Sequence, residues 1–465
     1  MRKTKIIATM GPSSSNYKTF KSLVQSGLNV ARINLSHGET SEHQKVVDTI
    51  KQVRCELKMP VSIMVDTRGP EVRVKNFDGG QILLKKGSYF ILYNHDKLGN
   101  NLGVSVTEPD CLKDIPLNTT ILANDGLITF KVVEQLQDGV KLKVLSGGVL
   151  KDSKGLTFKG YTPNLPYIST RDRNDLIWAF KNKCEYVALS FVTKKEDVLE
   201  IKELMKECNY QCKIISKIES LEGVKNLNEI LKVSNGIMVA RGDLGVEVPF
   251  YKVPFIQTEL INKSRLHGKI TIVATEMLES MINNPRPTRA EASDVATAVK
   301  EGASAVMLSA ETAVGKYPVA TVKAMSEICV QAEHDIDYTK KFKTLNFNSN
   351  DITDVLTYST VNASFNLKSK AIMVFTTKGK MANFVSRFLP ICPIVAITDN
   401  EGTYNSLSLV WGVSPILTTN FDENKIFDIS VEIAKSHNIA KTNDNVLVVT
   451  GTTDLHSNII KITKI

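Results

Sequence analysis

The sequence predicts an α/β protein: a (β/α)8 TIM barrel with an inserted β-barrel lid domain and a C-terminal α/β domain. Three observations support this prediction. Eight short, nearly continuous apolar runs succeed one another, amphipathic helical patterns separate most of them, and two further segments follow other patterns. Continuous apolar runs are typical of parallel strands buried on both faces, and eight strand–helix units in succession indicate a closed barrel.

The eight barrel strands are predicted from runs that end in polar or small residues. They begin at Lys5, Asn29, Val61, Tyr186, Cys212, Gly236, Ile270 and Ala305. In this fold the chemistry takes place at the C-terminal ends of the strands. We therefore expect one barrel mouth to gather the polar residues at those ends, namely Thr9, Arg32, Asn34, Ser36, Asp66, Thr67, Lys217, Glu219, Gly242, Asp243, Thr275 and Glu311.

Two segments do not fit a plain barrel. Residues 71–165 read as β-structure with a hairpin turn at Asp138–Gly139, and we interpret them as a lid over the mouth. Residues 338–465 contain four apolar runs with helices between them and end in a predicted edge strand, "NIIKITKI". The barrel itself is therefore assigned to residues 1–70 and 166–337.

Composition narrows the class of protein. The 465 residues are 42% hydrophobic and 23% charged, which is ordinary for a globular protein. No apolar run reaches the roughly 18 residues that span a membrane, and the first apolar stretch is too short for a secretory signal, so we expect a cytoplasmic protein without a membrane partner. The net charge of +9 is spread along the chain rather than clustered, which argues against nucleic-acid binding.

The segment "CKIISKIESLEGV" indicates the chemistry of the mouth. Lys217 and Glu219 are two residues apart, so in a strand their side chains point to the same side. Glu219 and Asp243, at the ends of neighbouring strands, are the oxygen ligands that magnesium prefers. Lys217, Arg32 and Arg73 add positive charge, and a divalent metal with such cations is the set that neutralises a phosphoryl group during transfer.

Eight motifs in order make the chain similar to the pyruvate kinase family over essentially its whole length. The motifs are "ATMGPSS", "NVARINLSHG", "DTRGPEVR", "IISKIESLEGV", "MVARGDLGVE", "ATEMLESM", "PRPTRAEASDVATAV" and "MLSAETAVGKYP". The resemblance implies transfer of the phosphoryl group of phosphoenolpyruvate to ADP, which gives ATP and pyruvate in the final step of glycolysis. It also implies a homotetramer whose C-terminal domain serves regulation and oligomerisation.

The resemblance implies roles for individual residues. Glu219 and Asp243 would hold Mg2+ or Mn2+, Lys217 would neutralise the phosphoryl group in flight, and Arg73 and Arg32 would grip phosphates. The substrate carboxylate would be received by Gly242, Asp243 and Thr275, and Thr275 would also lie near the path that protonates the enolate. The nucleotide would meet Thr9, Pro12, Arg32, His37 and Lys154.

The resemblance also implies a potassium site formed by Asn34, Ser36, Asp66 and Thr67. Glu71 is the residue type that accompanies potassium dependence in this family, so we expect a potassium-activated enzyme. A sugar-phosphate or nucleotide effector would contact Thr376, Thr377 and Lys380, although segment 451–458 has an acidic Asp454 where glycines are usual. We therefore expect weak or absent activation by fructose bisphosphate, or activation by another sugar phosphate.

Two other functions remain open at this stage. A barrel lyase or mutase acting on phosphoenolpyruvate or a keto acid would also use magnesium and carboxylates, but it would need neither the lid nor the potassium residues. A protein that binds metabolites without turnover is the other alternative. Dependence on ADP distinguishes a pyruvate kinase from a lyase or mutase.

Overall fold

The first three strands of the chain are neighbours in a closed barrel. The computed structural model describes residues 2–124, 126–345, 347–419, 425–452 and 455–465. The elements of this first segment are β1 (Lys5–Thr9), α1 (Tyr17–Gln25), β2 (Val30–Asn34), α2 (Thr40–Leu57) and β3 (Ser62–Asp66). Helix α1 begins where the side chain of Asn16 accepts the N–H of Thr19, which is an N-cap.

The insertion after β3 is β-structure, as predicted. Its strands are β4 (Val72–Arg73), β5 (Gln81–Leu84), β6 (Tyr89–Tyr93), β7 (Gly103–Ser105), β8 (Thr120–Ala123), β9 (Ile128–Leu136), β10 (Gly139–Ser146), β11 (Gly148–Lys151) and β12 (Gly155–Lys159). Seven of them form a half-barrel in the order β4-β12-β8-β9-β10-β6-β7, and β11 pairs with β5. The hairpin turn between β9 and β10 is confirmed, because Leu136 pairs with Gly139.

The chain then completes the barrel. The elements are α3 (Thr170–Lys181), β13 (Tyr186–Leu189), α4 (Lys195–Glu207), β14 (Lys213–Ile218), α5 (Leu221–Lys225), α6 (Leu227–Val233), β15 (Gly236–Ala240), α7 (Arg241–Glu247), α8 (Val253–Leu266), β16 (Ile270–Ala274), α9 (Arg289–Glu301), β17 (Ala305–Leu308), α10 (Ala310–Ala313), α11 (Pro318–His334) and α12 (Tyr338–Lys343). The parallel barrel closes in the order β1-β17-β16-β15-β14-β13-β3-β2. All eight predicted strands are confirmed.

The last segment forms a second α/β unit. Its elements are α13 (Ile352–Asn366), β18 (Ala371–Phe375), α14 (Lys380–Ser386), β19 (Ile394–Thr398), α15 (Glu401–Ser406), β20 (Val413–Leu417), α16 (Ile426–Ser436), β21 (Asn445–Thr452) and β22 (Leu455–Lys464). Four strands are parallel in the order β20-β19-β18-β21, and β22 is the predicted edge strand, antiparallel to β21. Short 3-10 helices lie at Pro109–Leu112, Phe250–Lys252, Glu279–Ile282 and Leu407–Leu409.

The C-terminal unit packs against the N-terminal ends of the barrel strands. Buried barrel side chains such as Ile7 and Met64 belong to the same apolar cluster as Val374 and Leu447. The Tyr186 hydroxyl reaches across and donates a hydrogen bond to Ser406 O at 2.7 Å. The opposite end of the barrel is thus left for the mouth. Among the described residues, no helix is long and apolar enough to cross a membrane.

Candidate active site

Lys217 lies at the centre of the barrel mouth, near the end of β14. Its ammonium nitrogen is 2.7 Å from Ser190 Oγ, 2.9 Å from Glu219 Oε1 and 3.2 Å from Asp66 Oδ1. The prediction that Lys217 and Glu219 face the same place is therefore confirmed. Burial opposes the charged form of Lys217, but Asp66 and Glu219 outweigh burial, so its pKa is raised well above the usual range. The lysine is a fixed cation at neutral pH.

Arg32 is a second fixed cation beside it. The register of β1 against β2 places Thr9 next to Arg32, and the guanidinium donates to Thr9 Oγ1 at 2.8 Å. Its Nε donates to Asp66 Oδ2 at 2.7 Å. Burial alone would raise the pKa of Asp66, but Arg32 and Lys217 hold it below its usual value. Asp66 therefore binds both cations as a carboxylate.

Glu219 follows β14 and has the character of a metal ligand. Its Oε2 accepts the N–H of Phe191 at 2.5 Å. Its other oxygen, Oε1, is buried and lies 2.9 Å from the ammonium nitrogen of Lys217. Burial raises the pKa of Glu219, and nearby Asp243 raises it further while Lys217 lowers it. Two neighbouring carboxylates, Glu219 and Asp243, supply the oxygen donors that a divalent metal ion prefers.

The candidate metal ligands at the mouth are two carboxylates, those of Glu219 and Asp243. Within the described ranges, no group of three or more His, Cys, Asp and Glu side chains is arranged to hold a metal. Magnesium is commonly bound by one or two carboxylates, with substrate oxygens and waters completing its shell. The donor set of Glu219 and Asp243 is of that kind.

A tight backbone arrangement joins the ends of β15 and β16. Helix α7 begins directly after β15, and the Gly242 N–H donates to Thr275 Oγ1 at 2.9 Å. Thr275 and Glu276 have φ angles of +68° and +52°. Positive φ is costly for a β-branched residue and is found where surrounding contacts enforce it, often at functional sites. The structure thus brings Gly242, Asp243 and Thr275 to one edge of the mouth.

The inserted half-barrel contributes residues around its first strand, β4. Arg73 lies 2.6 Å from Glu71 Oε2 and also donates to Ser153 O at 2.8 Å. His37 is close enough that Arg73 helps to lower its pKa, after the larger effect of burial. Lys154 lies beside this cluster, and its carbonyl accepts the N–H of Val74 at 2.9 Å. Pro12 is exposed in the turn after β1.

The predicted potassium residues lie along the ends of β2 and β3. Asn34 and Asp66 are partners in the strand register. The Asn34 side chain accepts the N–H of Ser36 at 3.2 Å, and Thr67 Oγ1 accepts the N–H of Ser190 at 3.2 Å. The four residues therefore adjoin the Lys217 cluster through Asp66.

Some predicted residues lie elsewhere. Glu311 is fully buried and accepts backbone N–H groups from Leu278 and Ser309, which is a structural role. In the predicted effector segment, Thr376 Oγ1 accepts the N–H of Gly379 at 2.9 Å. Thr453 and Asp454, in the second predicted effector segment, lie outside the described residues.

Two residues of the mouth were missed by sequence reasoning. Ser190 directly follows β13 and donates to Thr67 O at 2.7 Å besides contacting Lys217. Arg241 donates to Thr275 O at 2.6 Å and to Ala274 O at 3.3 Å. The sequence indicated these two residues only by their position, because each stands at the end of a predicted strand.

A (β/α)8 barrel whose mouth gathers fixed cations and paired carboxylates is suited to phosphoryl transfer, the chemistry of a phosphotransferase. The chain belongs to the pyruvate kinase family. Residues 1–322 match the family model described as pyruvate kinase, barrel domain, and residues 354–463 match pyruvate kinase, alpha/beta domain. This family is generally metal-dependent, and its substrates are phosphoenolpyruvate and ADP.

Individual relatives agree with the family models. A pyruvate kinase of Clostridium perfringens is 41% identical over 457 residues, which cover 97% of this chain and 96% of the relative. One from Geobacillus stearothermophilus is 41% identical over 97% of this chain and 78% of its own length. The crystal structure of a pyruvate kinase from Cryptosporidium parvum has a TM-score of 0.94 and 34% identity, covering 100% of this chain and 96% of that one. The predicted family, fold and phosphotransferase activity are confirmed, and the lyase or mutase alternative is not favoured.

Proposed function

We propose that the chain transfers the phosphoryl group of phosphoenolpyruvate to ADP at this mouth, with Lys217 as the central catalytic residue. The observation that carries this proposal is the Lys217 cluster: an ammonium group held by Asp66, Ser190 and Glu219 on one side of a strand end. A fixed ammonium there stabilises negative charge that develops on a phosphoryl group. Because its pKa is raised, Lys217 acts through charge and not as a base.

Arg32 and Arg73 would bind phosphate from two directions. Arg32 is fixed by Thr9 and Asp66, so its fork is oriented before the substrate arrives. Arg73 is tied to Glu71 at the start of the lid, so its position depends on the lid. We propose that Arg73 contacts the phosphate of phosphoenolpyruvate and that Arg32 contacts phosphates on the nucleotide side.

Glu219 and Asp243 would hold Mg2+ or Mn2+. When bound, such a metal neutralises charge on the phosphoryl oxygens. The two carboxylates are close enough that the charge of Asp243 helps to raise the pKa of Glu219, after the larger effect of burial, and this proximity supports the assignment. The substrate carboxylate would lie against Gly242, Asp243 and Thr275, and Thr275 would border the side from which the enolate is protonated.

The nucleotide and the monovalent cation complete the proposed site. ADP would contact Thr9, Pro12, Arg32, His37 and Lys154, with Lys154 brought by the lid. Potassium would bind at Asn34, Ser36, Asp66 and Thr67, where hydroxyl, amide and carboxylate oxygens are close together.

The remaining assignments are proposals at the level of the whole protein. We propose a cytoplasmic homotetramer with a barrel at residues 1–70 and 166–337, a lid at 71–165 and a regulatory and oligomerisation domain at 338–465. A sugar-phosphate or nucleotide effector would act on the last domain, with weak or no response to fructose bisphosphate. Nucleic acid and membranes are not expected partners.

The test is pyruvate formation from phosphoenolpyruvate, with and without ADP, in magnesium with either potassium or sodium. We expect turnover only with ADP, faster in potassium, and abolished in Lys217→Met. Lys232→Met, which removes an exposed lysine paired with Glu229, is the matched control and should keep full activity. Turnover without ADP would refute the kinase assignment, and equal rates in sodium and potassium would refute the potassium site alone.

A further inference from the structure

A large cavity lies at the end of the barrel opposite the mouth. Its volume is about 1400 Å3, and we call it the basal cavity. The barrel lines one wall near the starts of β13, β14 and β15, and the C-terminal unit lines the other with residues 400–406 and 415–417. Ligand pockets are usually a few hundred to about 1,000 Å3. The space is sufficient for a metabolite.

The lining of the basal cavity is strongly basic. Six lysine and arginine side chains and two glutamates line it, which leaves a formal excess of four positive charges when all are ionised. The cations are Lys51, Arg54, Lys58, Lys183, Lys213 and Lys378. A concave surface lined by one sign of charge raises the local concentration of oppositely charged ligands.

One of the two glutamates is already neutralised. Arg54 donates to Glu185 Oε1 at 3.0 Å and to Oε2 at 3.2 Å. Glu185 Oε2 also accepts the N–H of Ile63 at 2.7 Å. The hydrogen bonds of this carboxylate therefore go to Arg54 and Ile63, and it acts on Lys213 only through its charge.

Lys213 has no such partner. Its ammonium nitrogen is shielded from water and makes no hydrogen bond to any described residue. The nitrogen lies on the inner wall beside Gly379, where an added Cβ would be 3.3 Å away, and 5.8 Å from the ring centre of Tyr186. A buried ammonium without an acceptor is costly, and its flexible four-carbon stem can turn towards an anion in the cavity. Burial also lowers the pKa of Lys213 to about 8, so it is still mostly protonated at neutral pH.

We propose that the basal cavity binds a phosphorylated small molecule, with Lys213 contacting its phosphate at the inner wall. Phosphate oxygens would supply the acceptor that Lys213 lacks, and Lys51, Lys58 and Lys183 would balance the remaining charge. The ligand would touch both the barrel and the C-terminal unit. This site is separate from the catalytic mouth, so the proposal does not depend on the residue roles assigned there.

The test is calorimetric titration of the full-length protein with three probes: inorganic phosphate, ribose 5-phosphate and AMP. We expect at least one probe to bind and Lys213→Met to weaken that binding about tenfold or more, since a hydrogen bond to a charged group is lost. The three probes separate recognition of a bare phosphate from recognition of a sugar or a base. Phosphate that binds at the mouth is unaffected by Lys213→Met and does not count as support.

Two control variants make the result specific. Lys269→Met removes another lysine, half-buried at the same end of the barrel, but Lys269 already donates to Ser234 O at 2.6 Å. Lys380→Met alters the predicted effector segment. Binding should stay within about twofold of the wild type in both. Loss of binding in Lys380→Met with no loss in Lys213→Met would assign the ligand elsewhere and overturn the proposal, as would the absence of binding by all three probes.

A second variant guards against misfolding of Lys213→Met. Lys58 lies on the exposed rim with φ of +50°, a conformation that asparagine tolerates, so Lys58→Asn removes charge without disturbing the backbone. We expect it to weaken binding about threefold, in line with an exposed charge contact. If Lys213→Met does not fold and Lys58→Asn binds like the wild type, the proposal is wrong.

Discussion

Arg241 is predicted to be a positioning residue for the mouth, and its replacement by methionine should reduce activity strongly. Its guanidinium donates to the carbonyl oxygens of Thr275 at 2.6 Å and Ala274 at 3.3 Å, and it lies 2.7 Å from Asp294. The same turn holds two consecutive residues, Thr275 and Glu276, at positive φ. Arg241 therefore stabilises a backbone conformation that the sequence itself disfavours.

The size of the effect follows from these contacts. Each residue held at positive φ stores on the order of 1–3 kcal/mol. A hydrogen bond from a charged group contributes about 1.5–3 kcal/mol, which is comparable with that strain. Without the guanidinium, other conformations of Thr275 and Glu276 become competitive, and the fraction of molecules with a correct mouth falls. We expect kcat to fall about 10- to 100-fold, since 1.4 kcal/mol corresponds to a factor of ten.

The assay is steady-state turnover with phosphoenolpyruvate and ADP varied separately. Arg241→Lys keeps a positive charge near Asp294 but cannot span two carbonyls, so it should be intermediate. Asp294→Asn leaves the carbonyl contacts intact, and because the Asp294 side chain is 35% exposed, we expect less than about a threefold change. A folded Arg241→Met enzyme with kcat and KM within about twofold of the wild type would refute the reasoning.

Three further predictions concern other parts of the molecule. Glu71→Lys should give equal turnover in sodium and potassium, because the ammonium group would supply charge that potassium otherwise brings; persistent potassium activation would contradict this. Burial lowers the pKa of Lys5 to about 7, below its unfolded value, so the unfolded state binds more protons above pH 7 and stability should rise with pH. Between pH 7 and 9, the unfolding free energy of the wild type should gain up to about 1.4 kcal/mol per pH unit relative to Lys5→Met in denaturant titrations; parallel pH profiles would exclude the effect. Gly236→Ala should destabilise the barrel by about 1–3 kcal/mol, since a Cβ would lie 2.6 Å from a carbonyl oxygen of β16, whereas the strand glycine Gly148, with 3.4 Å of clearance, should tolerate alanine.

The barrel could be predicted because the sequence marks where each strand ends. Each apolar run ends in a polar or small residue, and the period of two places Lys217 and Glu219 on one side, as the 2.9 Å separation of their charged atoms confirms. The half-barrel form of the insertion was not predictable in the same way. The pattern identifies strands such as β9 and β10, but it does not say whether the two end strands of the sheet, β4 and β7, pair with each other to close it.

The missed residues share a physical reason. Ser190 carries no charge, and its role arises only because β13 lies between β3 and β14 in the barrel order. Arg241 acts on backbone carbonyls more than 30 residues away in sequence, a type of contact that leaves no pattern in side-chain types. The positive φ of Thr275 runs against local preference, so tertiary contacts decide it.

Asp66 shows how the barrel makes the mouth work as one unit. This carboxylate binds Arg32 from the neighbouring strand and Lys217 from a strand two positions away across β13. One negative charge thus holds two positive charges, and Glu219 contacts one of them, Lys217, at 2.9 Å. A surface loop would not keep these groups together. The two cations repel each other, and water weakens the attraction between each cation and the carboxylate. Buried at the ends of rigid strands, the three groups hold their positions before a phosphorylated substrate arrives, and that preorganisation is what phosphoryl transfer requires of a protein.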